Sequence, residues 1–317
     1  MRNIVCEMLN IKYPILQGPM AWASDGRLAA AVSEEGGLGI MGIGFAPADV
    51  FRNEIRTAGR LTDHPYGCNL ITSVPNSREL LEIILQEKVP VVELEGAPEE
   101  FSLLREYADT LEKNGIVVIG KASSVREAQI LERAGVQMVS VKGADGGGHI
   151  YGFTGTFTLI PQVVDAVRIP VINSSGVADA RGVRASFMLG ASAVEIGSRF
   201  LLAHECPVHE NYKKAVILAE EGATVLTGTS VHDAVRGLEN TLAKKVLKIE
   251  KDCEGKEAAE KIQRLCSGSL RKAAVEGDTD REGSVLVGQN VGMLTCEESV
   301  REIMKSLICG LEQILDS

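Results

Sequence analysis

Eight short apolar runs, separated by amphipathic stretches, occupy residues 14–198 and constrain the fold more than any other feature. The runs are Pro14–Gln17, Leu38–Ile43, Tyr66–Leu70, Val89–Leu94, Ile116–Gly120, Gln137–Lys142, Ile169–Asn173 and Ala193–Gly197. Between them lie helical patterns such as Arg27–Glu35, Ser77–Glu87, Glu99–Asn114, Val125–Ala134 and Ala180–Leu189. A strand–helix unit repeated eight times predicts an α/β protein whose parallel strands close into a (β/α)8, or TIM, barrel. A doubly wound open sheet is the competing architecture. It is disfavoured because no Gly-x-Gly-x-x-Gly follows the first strand with an acidic residue some way beyond.

After Phe200 the pattern changes. We read residues 1–200 as the barrel, 201–296 as a smaller, mostly helical cap, and 297–317 as a closing helix packed back on the barrel. A composition 45% apolar but only 4% aromatic suits a Val, Ile, Leu and Ala core, as in buried parallel sheets. The net charge of −10 argues against nucleic acid as a general partner, since that needs a basic surface. Lys213, Lys214, Lys244, Lys245 and Lys248 form a locally basic stretch, either a docking surface for an acidic partner or solvated helix faces. The seven cysteines show no metal or disulfide spacing. His204 and His209 lack a third ligand, so no metal is expected. With no signal-peptide pattern and no apolar stretch of membrane-spanning length, the expectation is a cytoplasmic protein without a membrane partner.

In such a barrel, chemistry collects at the carboxyl ends of the strands. Those ends carry Gly18, Pro19 and Met20, then Asn69, Glu93, Lys121, Lys142, Ser174-Ser175-Gly176 and Gly197-Ser198. Glycine-rich turns after the last two strands, with a helix starting near Asp179, form a candidate phosphate cradle at Ser175, Gly176, Gly197 and Ser198. A phosphate held there suits flavin mononucleotide (FMN), its ring over the mouth against Gly18–Met20 and Asn69, with Gly147 and Gly148 passing close. Lys142 would place positive charge near the flavin, or pair with Glu93 or Glu95. His149, at the end of a glycine run, is a side chain of the type suited to proton exchange near neutrality.

Ile15-Leu-Gln-Gly-Pro-Met-Ala-Trp22, Glu35-Gly-Gly-Leu-Gly-Ile40, Gly146-Gly-Gly-His149 and Pro170-Val-Ile-Asn-Ser-Ser-Gly-Val-Ala-Asp179 resemble the nitronate monooxygenase superfamily, as does Leu189–Phe200. Within that group the chain looks most like the FMN-dependent enoyl-acyl-carrier-protein reductases II. The closer likeness includes His209–Lys213, Ala234–Asn240 and Gly283–Gln289. The resemblance implies a TIM barrel with noncovalent FMN, NADH or NADPH as reductant, and a small-molecule or acyl-carrier-protein-bound enoyl thioester as substrate in a fatty-acid pathway. It also implies a homodimer and a proton-handling role for His149. Nitronate oxidation with O2 is the alternative, in which His149 would act as base.

The departures from that pattern concentrate at the rim. Glu93-Leu-Glu-Gly-Ala-Pro98 stands where Thr-Thr-Gly-Ala-Gly-Asn-Pro is usual, Lys121 where valine is, and Lys142 where Glu or Gln is. Asn173–Gly176 replaces Ala-Ala-Gly-Gly, and Pro19 replaces a glycine. Glu93, Glu95 and Lys121 are therefore expected at a substrate mouth of altered character. A third reading follows, in which the mouth serves a non-redox, anion-binding role.

Overall fold

The computed structural model describes residues 3–315. All eight apolar runs form strands: β1 (Ile15–Gln17), β2 (Leu38–Met41), β3 (Gly67–Ile71), β4 (Val91–Glu95), β5 (Val117–Ala122) and β6 (Met138–Val141). A two-residue strand, β7 (Gly148–His149), lies outside the barrel, and β8 (Val171–Asn173) and β9 (Ala193–Ile196) complete it. All neighbours pair in parallel, and β9 returns to β1 with Leu16 opposite Glu195, which closes a TIM barrel. The helices begin where short polar side chains can satisfy the first turn's free N–H groups. Asp25 accepts from Arg27 and Leu28, and Ser124 accepts from Glu127.

Alternation along each strand sorts residues into two faces. Outward-facing Val92, Leu94, Val118, Val139 and Val141 pack on the surrounding helices, leaving no water-facing side to the sheet. Inward-facing Leu16, Leu38, Ile40, Val91, Ile119, Met138, Ile172 and Ala193 form an apolar layer across the barrel. Val5 and Leu9, from an N-terminal helix Ile4–Leu9, close that layer at the amino-terminal end. One residue pair further along the strands the interior turns polar, with Asn69, Glu93, Lys121, Ser140 and Glu195. The site therefore rests on a rigid apolar plug.

Beyond β9 lie the helices Glu210–Ile217, Thr241–Asp252, Gly255–Cys266 and Ser269–Ala274. Between the first two sits a hairpin that the periodicity did not reveal, β10 (Thr224–Thr227) and β11 (Val235–Leu238). Four-residue strands of half-buried side chains give too little alternation to read. β11 pairs antiparallel with β7, so His149 belongs to a three-stranded sheet and not to a free loop. The closing helix Val300–Leu315 buries Val300, Ile303, Met304 and Leu307 with Ile15, Leu28 and Val183 of the barrel; residues 316–317 of the expected segment lie outside the described residues. The basic stretch does not form one surface. Lys213 is buried, donates to the Ala203 carbonyl at 2.6 Å and pairs with Glu297, while Lys214 pairs with Glu210 and Lys244 with Glu239.

Candidate active site

The strand-end residues from Gly18 to Ser198 singled out as candidate site residues line one cavity of about 400 Å³ at the carboxyl ends of the strands. This is within the range of small-ligand sites, ~300–1,000 Å³. Asn173 donates to Ser186 Oγ at 2.8 Å and does not line the cavity. A second hollow of about 530 Å³ lies at the opposite end, beside Lys12, Tyr13, His64, Arg301 and Lys305. Its charged groups are surface side chains, so the larger space is not where the chemistry converges.

The floor of the cavity is an ionic network on β4, β5, β6 and β9. Lys121 donates to Glu195, to Ser174 Oγ at 2.9 Å and to Ser140 Oγ at 3.2 Å, which uses all three ammonium protons. Both serine hydroxyls in turn donate to Glu195, at 2.6 Å from Ser140 and 2.8 Å from Ser174. A side chain at position 18 would meet Glu195 Oε1 at 2.5 Å, so Gly18 makes room for this carboxylate. Glu93, only 1% exposed, lies 3.3 Å from the ammonium but neither of its oxygens has a hydrogen bond. The contact is an ion-pair distance without hydrogen-bond geometry.

These surroundings separate the two carboxyls. Burial, reinforced by the charge of Glu195, pushes Glu93 well above the usual carboxylate range, against the pull of Lys121. Burial opposes ionisation of Glu195 too, but the charge of Lys121, the neighbouring Glu93 carboxyl and hydrogen bonds from Lys121 and Ser140 bring it down to about 2. Lys121 is raised, because the two carboxylates outweigh its burial. The floor thus holds one ion pair beside a carboxyl whose ionisation burial opposes.

Lys142 follows β6 and lies under the glycine run, where side chains at Gly146 or Gly148 would meet its Cε at 2.8 Å or its Nζ at 3.7 Å. Among the described residues it forms no ion pair with Glu93 or Glu95; Lys121 is the cation beside Glu93. Burial, and then the like charge of Lys121, lowers its pKa to about 8. Among the described residues its ammonium has no hydrogen-bond or ion-pair partner, and it lines the cavity.

His149 is held differently. Pairing of β7 with β11 sets its backbone opposite Val235, and its ring stacks on Tyr151 at 6.1 Å between centroids. Nε2 lies 3.5 Å from Asp233 Oδ1, with 45% of the imidazole side chain exposed. Tyr151 reaches Glu95 at 3.5 Å, linking the imidazole side of the mouth to β4. Asn69 accepts from the Gly44 N–H at 2.6 Å, so its oxygen shapes the loop after β2.

The expected phosphate cradle is altered in one respect. Asp179 caps its own helix, accepting from Arg181 at 2.8 Å and Gly182 at 3.4 Å, so two of that helix's first N–H groups are already taken. Among the described residues the N–H groups of Gly176, Gly197 and Ser198 have no protein acceptor. Ser175 is committed to structure, its Oγ accepting from the Gly143 N–H at 2.9 Å, while Ser198 Oγ accepts from Gly288 at 3.0 Å. Gly288 belongs to the segment Gly283–Met293, which packs under the site: Val285 and Val287 are buried, and a side chain at Gly147 would strike Val287 at 2.6 Å. His209, the other histidine considered, caps helix Glu210–Ile217 by accepting from the Asn211 N–H at 3.1 Å.

Sequence reasoning missed Glu195, Asp233 and Tyr151. Glu195 lies inside the quoted Leu189–Phe200 motif, and its inward phase on β9 was the available signal. Asp233 offered none, being brought to His149 only by the hairpin.

A family model described as Nitronate monooxygenase matches residues 2–81 and 73–310. The chain belongs to the nitronate monooxygenase family. A protein of Staphylococcus saprophyticus named "Probable nitronate monooxygenase" is 31% identical, with 85% of this chain and 86% of the relative covered. One of Staphylococcus aureus with the same name is 30% identical across 99% of this chain and 98% of its own. Among solved structures, FabK from Thermotoga maritima superposes with a TM-score of 0.92 at 38% identity, covering 100% of this chain and 98% of that one. A nitroalkane oxidase from Streptomyces ansochromogenes gives 0.84 at 24% identity, covering 98% and 99%, a likeness of fold. The chain is thus an oxidoreductase of the nitronate monooxygenase and FabK superfamily. Among the described residues no helix is long and apolar enough to cross a membrane.

Proposed function

We propose that this family member is an FMN-dependent oxidoreductase that reduces an activated C=C bond with NADH or NADPH, an enoyl thioester being the default substrate. The observation that carries this reading is the convergence on one cavity of free N–H donors at Gly176, Gly197 and Ser198, the unpaired Lys142 and the proton-exchanging His149. FabK, the enoyl-acyl-carrier-protein reductase II, is also the solved relative with 38% identity over the full chain.

The residues fit a flavin. The free N–H groups would hold its phosphate, Gly18, Pro19, Met20 and Asn69 would border its ring, and Lys142 would place a cation beside it. When bound, FMN supplies hydride transfer. His149 polarises the substrate carbonyl or delivers the proton to the α-carbon while the β-carbon receives the hydride, so that NAD(P)H is oxidised as the alkene is saturated. Glu95 and Tyr151 border the same mouth, and the buried ion pair below fixes the floor.

Nitronate oxidation is the second reading, favoured by the names of the curated relatives. There His149 would remove the α-proton. An anaerobic stopped-flow experiment decides between them. Bleaching of the yellow protein by NADH and recolouring by crotonyl thioester is the expected result. Bleaching by a nitronate alone, with recolouring by air, would transfer the assignment; protein with no affinity for FMN would support the anion-binding reading. An acyl-carrier-protein-borne substrate and a homodimer belong to the same proposal, and light scattering of the purified protein tests the latter.

A further inference from the structure

Aromatic residues are scarce in this chain, yet three of the five exposed ones among the described residues line the cavity. Among the described residues the exposed aromatics are Trp22, Phe45, Tyr151, Phe153 and Phe157, on the loops after β1, β2 and β7 and the start of the helix that follows. Trp22, Phe45 and Tyr151 line the cavity itself. Single exposed apolar residues need no explanation, but a cluster at a cavity entrance marks a binding surface.

Trp22 has a second peculiarity. Its φ is +65°, a left-handed conformation that is a real outlier for a bulky side chain. The surrounding loop enforces it: the N–H groups of Ala23 and Ser24 both donate to the Met20 carbonyl, at 3.0 and 2.9 Å, and Ser24 Oγ accepts from the Met20 N–H at 2.8 Å. The Ser24 carbonyl then accepts from the Gly42 N–H at 2.9 Å, which ties this turn to the loop bearing Phe45. Strain of this kind persists where the structure over-determines it, and it clusters at ligand sites. The result is an indole 41% exposed, 5.5 Å from the Phe45 ring at a 49° tilt, with the two rings carried on pinned backbone. Preorganised rings reward a flat partner more than a flexible chain, which must give up rotamer freedom to lie on them.

We propose that Trp22, Phe45 and Tyr151 form an aromatic entrance selecting substrates whose activated C=C bond is conjugated to a flat ring, of the cinnamoyl type, over those carrying an alkyl chain. The inference rests on the C=C reductase reading and extends it to substrate class. The ring occupies the entrance, the carbonyl end reaches His149, and the ionic floor of Glu93, Lys121 and Glu195 keeps apolar groups from going deeper. The redox step is unchanged: hydride to the β-carbon, proton to the α-carbon, and oxidation of NAD(P)H.

Trp22 is the only tryptophan, so its emission reports on this entrance directly. The holoprotein is titrated with cinnamoyl-pantetheine and with trans-2-hexenoyl-pantetheine, without reductant. The expected result is quenching by the cinnamoyl compound, with roughly threefold to tenfold tighter binding than the hexenoyl compound, as an aromatic contact provides. Phe45→Leu, which keeps the apolar volume and removes the ring, should abolish the preference. Equal affinities, a preference that survives in Phe45→Leu, or quenching by NADH that weakens in Phe45→Leu would overturn the proposal, the last by making the nicotinamide the occupant. The binding readout separates the two readings. Preferential binding without reduction of either thioester would retain the entrance and remove the reductase assignment. Reduction of both with equal affinity would do the opposite.

Discussion

The floor and the rim of this mouth carry the same kinds of groups under opposite conditions. On the floor, Glu195 is buried and Lys121 largely so, every donor of the ammonium is used, and two serines close the ring. At the rim, His149 faces Asp233 across 3.5 Å with 45% and 65% of their side chains exposed. In water a pair of that kind is worth little, because both partners are solvated whether or not they meet. On the floor each charge depends on its neighbour, since neither has water to fall back on. Position on the strand decides which regime applies: a residue inside the barrel becomes structural, and one on β7 remains free to act.

Four experiments would break or sharpen that contrast, beginning with the largest effect. His149→Ala should keep fold and flavin while turnover falls by ~10²–10⁴-fold, the usual contribution of a general acid or base. Steady-state kinetics on flavin-saturated protein would show it, and unchanged turnover would remove the proton role. Lys121→Met should destabilise the fold by about 3–5 kcal/mol in chemical denaturation, because Glu195 is left ionised without its cation. The double change Lys121→Met, Glu195→Gln should recover much of that loss. If it is as unstable as the single variant, the network acts through packing and not through charge.

Lys142 lies between the two regimes and gives a pH signature. Its pKa falls from 10.5 to about 8 on folding. Between these values the unfolded chain holds a proton that the folded one has released, so stability should rise with pH across that window. Flavin-free protein denatured at pH values from about 7.5 to about 11, which bracket this window, should show the gain. Lys142→Met should lack it; an identical profile would mean that other groups dominate. Asp233→Asn is expected to be smallest, changing stability by less than about 1 kcal/mol. A larger loss would show that the hairpin contact is structural after all.

Much of the fold was legible because each barrel strand is short, apolar and bounded by a helix of clear periodicity. The β10–β11 hairpin was not, since its strands are half-buried and its partner, β7, is two residues long. The rim was readable as a set of strand ends, and all of its candidate site residues share the cavity. Their pairing was less legible. Lys142 was open to an ion pair with Glu93 or Glu95, yet Lys121 lies between the carboxyls on β4 and β9. The helix following Ser175-Gly176 was expected behind an anion, but Asp179 takes two of its first N–H groups.

Periodicity along the chain thus determined by itself the eight-stranded barrel, the end at which chemistry collects and the histidine presented there, because apolar spacing and glycine content are local properties. Closure of the barrel decided that Glu195 meets Lys121 and that Glu93 is left without a hydrogen bond, and pairing of the hairpin with β7 set Asp233 beside His149. Those contacts join residues far apart in the chain, and whether a charge is paired, neutralised or free depends on neighbours and burial that only the packed molecule supplies.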